Sequence, residues 1–391
     1  MSRQITAEEF AGALRAHGVQ NVTGVPCGHL AEPWALFENA GVLTPAVSEG
    51  AALSIAAGWE LGGRMSAVLC QNSGFGNLLN PLASLLLPYQ ISVLVVMTMR
   101  GWPDPEADEP QHAAMGTSTT KLLDALDVPY AFLVPEKLPE ALSQAARARA
   151  RGLPYFLLVP RGSIACAEGA PSASAPSAQG RLTRARLVSA LMAELTDELL
   201  VTTTGYLSRQ AYHERDRPNT FYMQGSMGHA GAIGTGMAMA HPDRRTVVLD
   251  GDGAFLMHLG TGSTIGASGA RNLVHIIVDN GCYESTGCQP TTSGSLDWSR
   301  LGRGLGYKTV LTCDFEPRLA GSLRTALTAA GPVLFALTVV PTPDEVYPRA
   351  SASLGLPAVA GRFRSAAAGT TAHPGTTAHA GTTAHAGTRS P

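Results

Sequence analysis

The sequence predicts an α/β protein built from two parallel-sheet domains. Three observations carry that expectation. Short, unbroken apolar runs alternate with helical patterns, as strands do when both faces are buried and crossover helices connect them. A Pro/Ala/Ser/Gly stretch at 166–180, CAEGAPSASAPSAQG, separates two such alternations. Turns that follow apolar runs carry carboxylate and amide side chains, at the strand ends where parallel sheets bind ligands.

The first domain is expected over residues 1–165. Thr6 can cap a helix from Ala7, with Glu9 as its capping-box partner. Val22–Val25 reads as a strand, and an alanine-rich helix follows from about Gly50 to Leu61. Ser66–Cys70, Ile91–Thr98 and Tyr155–Val159 read as buried parallel strands. After the 166–180 linker, the second domain spans 181–350, with a helix over Arg181–Leu195. Its strand candidates are Leu199–Thr203, Thr246–Leu249, Val274–Val278 and Val333–Val339. Residues 351–391 read as a disordered tail, because TTAHPG, TTAHAG and TTAHAG at 370–387 offer nothing apolar to bury. Weak metal capture by His373, His379 and His385 is the less favoured alternative.

Composition narrows the class. The chain has 391 residues, 45% hydrophobic and 15% charged, with a formal net charge of −2, which fits a globular protein of about two domains. That balance gives no electrostatic case for nucleic acid or an anionic membrane as partner. The apolar stretch from Leu78 to Met99 is broken by Pro81, Pro88 and Gln90, so it does not read as a membrane span. The N-terminal MSRQITAEEFAGALRAHGV reads as an amphipathic helix and not as a signal peptide. Cysteines at 27, 70, 166, 282, 288 and 313 contain no CxxC pair and read as reduced thiols of a cytoplasmic protein.

The sharpest chemistry lies in LDGDGAFLMHLG (249–260) and HIIVDNGCYESTGCQPT (275–291). Asp252 and Asn280 are hard oxygen ligands 28 positions apart (280 − 252). A strand–helix–strand unit of that length returns the chain beside its start, so both oxygens can meet one Mg²⁺ that also takes phosphate oxygens. Gly251 and Gly253 let backbone amides approach a diphosphate, helped by a helix N-terminus after the turn. In the other half, VSEGAALSIAAGWELGGR (47–64) sets Glu49 at a strand–helix junction. By itself such a carboxylate does no more than meet a helix dipole.

GDG followed at this spacing by an Asn-bearing turn resembles the diphosphate motif of the thiamine-diphosphate enzymes, and VSEGAALSIAAG resembles their pyrimidine-binding segment. The resemblance implies two doubly wound domains of the thiamine-diphosphate-binding type, with no middle domain in a chain this short. It implies that the Asp252 and Asn280 side chains and the Cys282 carbonyl hold Mg²⁺, although Asp279 stands where the family often has Asn. It implies that Glu49 hydrogen-bonds the aminopyrimidine and so promotes loss of the thiazolium proton. Asn72, Ser73, Gly205, Ser226, Met227, Gly228, Gly251, Gly253 and Tyr283 are the remaining cofactor-binding candidates. Active sites shared between subunits of a homo-oligomer are implied as well.

Within that family, GVPCGHL (24–30), QNSGFGNLLNPLASL (71–85), MRGWPDPEADEPQH (99–112) and GSMGHAGAIGTGMA (225–238) resemble the phosphonopyruvate and sulfopyruvate decarboxylase branch. The resemblance implies non-oxidative decarboxylation of a small anionic 2-oxo acid. Phosphonopyruvate is favoured over sulfopyruvate because the two domains are fused, whereas methanogen sulfopyruvate enzymes divide them between chains. A dianionic phosphonate calls for cations, and Arg100, His29, His229 and Gln111 are the substrate-binding candidates. His112 or a bound water is the candidate proton donor.

Overall fold

The computed structural model describes residues 4–165, 181–345 and 347–369. The expected linker at 166–180 and the histidine-bearing repeats at 370–387 lie outside the described residues.

Two six-stranded sheets, parallel throughout, organise the chain. The first contains β1 (Asn21–Gly24), β2 (Leu43–Pro45), β3 (Ser66–Gln71), β4 (Leu94–Met99), β5 (Tyr130–Phe132) and β6 (Tyr155–Pro160), in the order β2-β1-β3-β4-β6-β5. The second contains β7 (Leu199–Thr202), β8 (Thr220–Tyr222), β9 (Thr246–Gly251) and β10 (Leu273–Asp279). A short hairpin, β11 (Cys282–Tyr283) and β12 (Gln289–Pro290), then leads to β13 (Thr309–Cys313) and β14 (Val333–Thr338). The second sheet runs β13-β14-β10-β9-β7-β8. Read from the β8 edge and counted within its own half, that is the same strand order as the first sheet. The fold therefore occurs twice in the chain.

The unbroken apolar runs have a direct cause. In the first sheet Leu69 pairs with Val96, and both face one core with Val22 and Leu157. Their neighbours Val68, Val95, Phe156 and Leu158 face a second core on the other side. The second sheet repeats this, with Leu249, Ile276 and Phe335 on one face and Val248, Ile277 and Leu334 on the other. At about 1.5–3 kcal/mol for each fully buried Val, Leu, Ile or Phe, these central strands are the main driving force for both halves.

Local signals set the element boundaries. Thr6 caps the Ala7–Ala16 helix, and its reciprocal bond with Glu9 completes the capping box. Ser48 caps the Glu49–Leu61 helix through Oγ and the Ala51 amide. Ala52, Ala56 and Ala57 are buried there, and their small side chains bring the helix close to the sheet.

One expectation needs correction. The tail was expected to begin at 351, yet Leu356–Ala367 forms a helix whose Val359 and Phe363 are buried. Phe363 lies 5.6 Å from the Phe221 ring, a contact that covers the β8 edge of the second sheet. The i, i+4 pair Val359/Phe363 is a minimal amphipathic stripe, hidden in an alanine- and serine-rich stretch. No helix among the described residues is long and apolar enough to cross a membrane.

Candidate active site

In each sheet the strand order reverses once, between β1 and β3 and between β7 and β9. Such switch points open a crevice beyond the carboxyl ends of the strands. Both crevices open on one cavity of about 540 Å³. Its walls come from Val25–Cys27 after β1, Ser73 and Gly74 after β3, Thr203–Gly205 after β7, and Gly251–Gly253 after β9. The site thus follows from topology before any side chain is considered.

From the first half, Glu49 projects into this cavity from the first turn of its helix. It is 5% exposed, and burial raises its carboxyl above the ordinary range. Asn77 Nδ2 donates to Oε2 at 2.7 Å. A Cβ on Gly74 would lie 2.0 Å from Oε1, so the absent side chain there is what gives the carboxyl its position. A raised, poorly solvated carboxyl with one neutral partner is suited to sharing a proton with a ring nitrogen.

From the second half, Asp252 is 3% exposed, and burial together with nearby Asp279 pushes it up to about 7. Thr291 Oγ donates to Asp252 Oδ2 at 2.5 Å. Asn280 and Cys282 also line the cavity. Asp279 is engaged elsewhere: it accepts from Ser293 Oγ at 2.7 Å, Trp298 Nε1 at 2.7 Å and Gly281 N at 3.1 Å. Of the Asp279–Asn280 pair only the asparagine lines the cavity, and its Oδ1 accepts from Cys282 N at 3.1 Å with a second lone pair left for a ligand. A buried carboxyl with a raised pKa beside a neutral amide oxygen fits a divalent cation, which would return the proton to solvent and satisfy the anion. Gly253 has a second role, since a Cβ there would come within 2.5 Å of Tyr283 Cε1. The helix after the turn, Asp252–Met257, has only six residues.

Around the remaining wall, Arg100 lines the cavity, but its guanidinium forks onto Asp108 at 2.7 and 2.5 Å and approaches Glu109 at 3.6 Å. Burial opposes ionisation of Asp108, yet bonds from Arg100 and from the Glu109 and Gly101 amides hold it well below the usual carboxylate range. Asp108 also receives His112 Nδ1 at 3.2 Å, which leaves Nε2 for the cavity. Burial, then Arg100, lowers the His112 pKa. Gln111 bonds Glu109 and presents a buried Oε1 without a partner among the described residues. His229 lines the cavity, with Nδ1 3.1 Å from Ser226 O and its ring 4.3 Å from His258.

The structure brings together Glu49, Ser73, Arg100, Gln111, His112, Gly205, Ser226, Met227, His229, Gly251, Asp252, Gly253, Asn280, Cys282 and Tyr283. Three candidates are not in the wall. Asn72 is fully buried, and its amide clamps the ends of β3 and β4 through Arg100 O and Arg100 N, both at 2.9 Å. Gly228 packs against His258 and Ala254. His29 does not line the cavity, and burial, then Arg100, lowers its pKa. Both halves of the chain line this one cavity.

Sequence reasoning missed Asn77, Thr291, Asp108, Arg209 and Arg349. The first three lie inside quoted motifs, but their roles depend on which side chain they support. Arg349 ion-pairs with Glu109 across the two halves, a contact 240 positions long in sequence (349 − 109). Cys282 and Cys288 lie with sulfurs 3.0 Å apart, and burial raises both thiols. Neither is poised as a thiolate.

Comparison with known proteins places both halves of the chain in one family. Residues 5–114 match the N-terminal TPP (thiamine pyrophosphate) binding domain of thiamine pyrophosphate enzymes, and residues 203–337 match the C-terminal TPP binding domain. The chain belongs to the thiamine pyrophosphate enzyme family. It is 39% identical to a phosphonopyruvate decarboxylase of Streptomyces viridochromogenes, over 86% of this chain and 89% of the relative. It is 38% identical to a phosphonopyruvate decarboxylase of Streptomyces hygroscopicus, over 92% and 93%. A sulfopyruvate decarboxylase of Methanosarcina acetivorans is 29% identical over 73% of this chain and 78% of the relative. That last alignment spans 304 residues in one polypeptide, so fusion of the two domains does not separate the two activities.

Proposed function

We propose that this chain decarboxylates 3-phosphonopyruvate to phosphonoacetaldehyde and CO₂, using thiamine diphosphate and Mg²⁺. The observation that carries the reading is one cavity with a buried carboxyl, Glu49, on one wall and the Asp252/Asn280 oxygen pair on the other. When bound, thiamine diphosphate supplies the nucleophilic carbon and the electron sink for loss of CO₂ from a 2-oxo acid. Asp252, Asn280 and the Cys282 carbonyl would hold Mg²⁺ against the diphosphate. Glu49, fixed by Asn77 and Gly74, would exchange a proton with the aminopyrimidine. His112, oriented through Nδ1 by Asp108, would deliver a proton from Nε2 after CO₂ departs. Arg100 acts through Asp108 in this reading, because its fork is already occupied.

The phosphonopyruvate reading is favoured by identity across nearly the whole length of two such relatives. Sulfopyruvate is the second reading, favoured by the fused methanogen relative. The reading further includes a two-domain chain joined at 166–180, a cytoplasmic setting in phosphonate biosynthesis, and a homo-oligomer. Exposed Leu61, Tyr89 and Met239 are surfaces that self-association would cover.

The test is aldehyde formation from 3-phosphonopyruvate, sulfopyruvate and pyruvate, with and without thiamine diphosphate and Mg²⁺. Cofactor-dependent turnover preferring phosphonopyruvate is expected. Preference for sulfopyruvate would move the assignment to the second reading, and no turnover with cofactor bound would overturn the reaction.

A further inference from the structure

Among the described residues four arginines line the cavity, and three are already neutralised. Arg100 is forked onto Asp108. Arg349 is paired with Glu109. Arg184, 2% exposed, donates to Glu284 at 2.6 Å, to Gln210 at 2.9 Å, and to the Thr342 and Glu345 carbonyls at 3.2 and 2.8 Å. Arg209 differs. Among the described residues it forms no ion pair and no side-chain hydrogen bond, and its Nε is buried without a partner.

Its position is nonetheless built. The Tyr206–Glu214 helix starts at the carboxyl end of β7, at the switch point, so residue 209 lies one turn into the cavity wall. Tyr206, three residues earlier on the same face, carries the Arg209 guanidinium 5.1 Å from its ring centroid and that of Arg184 at 4.9 Å. Burial first, then the neighbouring Arg349, lowers the Arg209 pKa, with Tyr206 and Glu109 opposing and Arg184 adding to the shift. A half-buried cation with an unmet donor, pressed by other cations, is stabilised when an anion arrives.

We propose that Arg209 holds the remote anionic group of the substrate, the phosphonate, and so selects 2-oxo acids with a charged side chain. The inference rests on the decarboxylase reading above. The substrate has two anionic ends, and the reaction itself decides between them. A guanidinium on the carboxylate would stabilise the ground state from which CO₂ must leave, whereas one on the phosphonate assists binding without opposing that step. The remaining cavity arginines cannot serve without giving up a carboxylate.

The test compares wild type, R209Q and R209K holoenzymes. Measured quantities are kcat/KM for 3-phosphonopyruvate, sulfopyruvate and pyruvate, together with thiamine diphosphate affinity by protein fluorescence. Loss of charge-assisted hydrogen bonds predicts a fall of about 100-fold in the phosphonopyruvate-to-pyruvate ratio for R209Q, carried mainly by KM. R209K is expected to give an intermediate ratio, since it keeps the charge and loses the fork. Thiamine diphosphate affinity should stay within about twofold, because the cofactor's own contacts are untouched. An unaltered ratio overturns the proposal, and so does a matching loss of cofactor affinity, which would assign Arg209 to the diphosphate. If wild type turns over sulfopyruvate and not phosphonopyruvate, the substrate reading fails, and a selective loss on sulfopyruvate in R209Q still supports Arg209 as the anion anchor. Wild type active on pyruvate alone would sink both.

Discussion

Gly74→Ala isolates the position of the Glu49 carboxyl from its chemistry. Gly74 has φ −90°, which any L-residue adopts, so the backbone accepts alanine. The new Cβ would nevertheless lie 2.0 Å from Glu49 Oε1 and 2.2 Å from Cδ. Ordinary contact needs over 3 Å, so the carboxyl must shift by about 1 Å or more. The shift also disturbs the 2.7 Å bond from Asn77. The obstructing atoms belong to the end of a flexible side chain, so the fold should yield cheaply, at the low end of the roughly 1–3 kcal/mol typical of overpacking. Function should not yield cheaply, because a displacement of about 1 Å at a reacting group can lower the rate by about 100-fold. The assay is steady-state turnover alongside deuterium exchange at the reactive carbon of bound thiamine diphosphate. Both should fall by about 100-fold, with cofactor affinity changed far less. A G74A enzyme with undiminished exchange would show that the carboxyl does not act from this position, and the assignment of Glu49 would fall with it.

On the opposite wall, Asp252→Ala should raise the Mg²⁺ requirement by at least about 100-fold, and Thr291→Val by about 10- to 100-fold, as expected for a ligand and its support; titrating Mg²⁺ against activity and cofactor fluorescence checks both. Arg184→Met leaves Glu284 buried and unpaired, which should destabilise the protein by about 3–5 kcal/mol, seen as a lowered unfolding midpoint; an unchanged midpoint would contradict the role of that pair. His112 has a folded-state pKa below 6.5, so the unfolded chain binds the proton more readily and stability falls as pH drops below about 6.5. His112→Gln should flatten that fall. His112→Ala should lower turnover by about 100-fold or more while leaving cofactor affinity nearly intact, and it should abolish a limb of kcat that rises toward acid pH. Equal loss of both would remove His112 from the chemical step.

The sequence exposed the central strands and missed the edges. β3, β4, β6, β9, β10 and β14 are buried on both faces and read as unbroken apolar runs. β2, β5, β8 and β13, the four outermost strands, were not anticipated. The first two have no buried residue, and the Thr309–Cys313 strand buries only Cys313. With one neighbour and partial exposure, such segments lack the apolar pattern that marks a central strand. The cavity-lining residues were legible wherever an ordered motif carried them. Residues that work by supporting another were not, because nothing in QNSGFGN says that Asn77 rather than Asn72 reaches Glu49. Arg100 shows the converse: its place after β4 was legible, but occupation of its fork by Asp108 depends on a loop path that composition does not encode.

The repeated strand order explains why one cavity holds two kinds of chemistry. Glu49 begins the helix between β2 and β3, and His229 immediately precedes the corresponding helix, Ala230–Ala240, between β8 and β9. Both helices are rich in alanine and glycine, and the N-terminal ends of both reach the cavity. The turn after β3 supplies Ser73 and Gly74, and its counterpart after β9 supplies Asp252 and Gly253. Equivalent positions therefore carry different groups: the buried Glu49 carboxyl opposite His229, and a turn bearing Ser73 opposite a turn bearing Asp252. A doubled topology requires only that two switch points face each other; it leaves each loop free to diverge. Arg209 follows the same logic, since it lies beyond β7, and the matching segment beyond β1 ends in Cys27 and the short Gly28–Leu30 turn with no cation on the wall. On the proposed reading, the cavity arginine that lacks a carboxylate partner among the described residues stands on the second sheet's wall, and the first half's Arg100 is held by Asp108, so the substrate's remote anionic end would turn toward the second sheet.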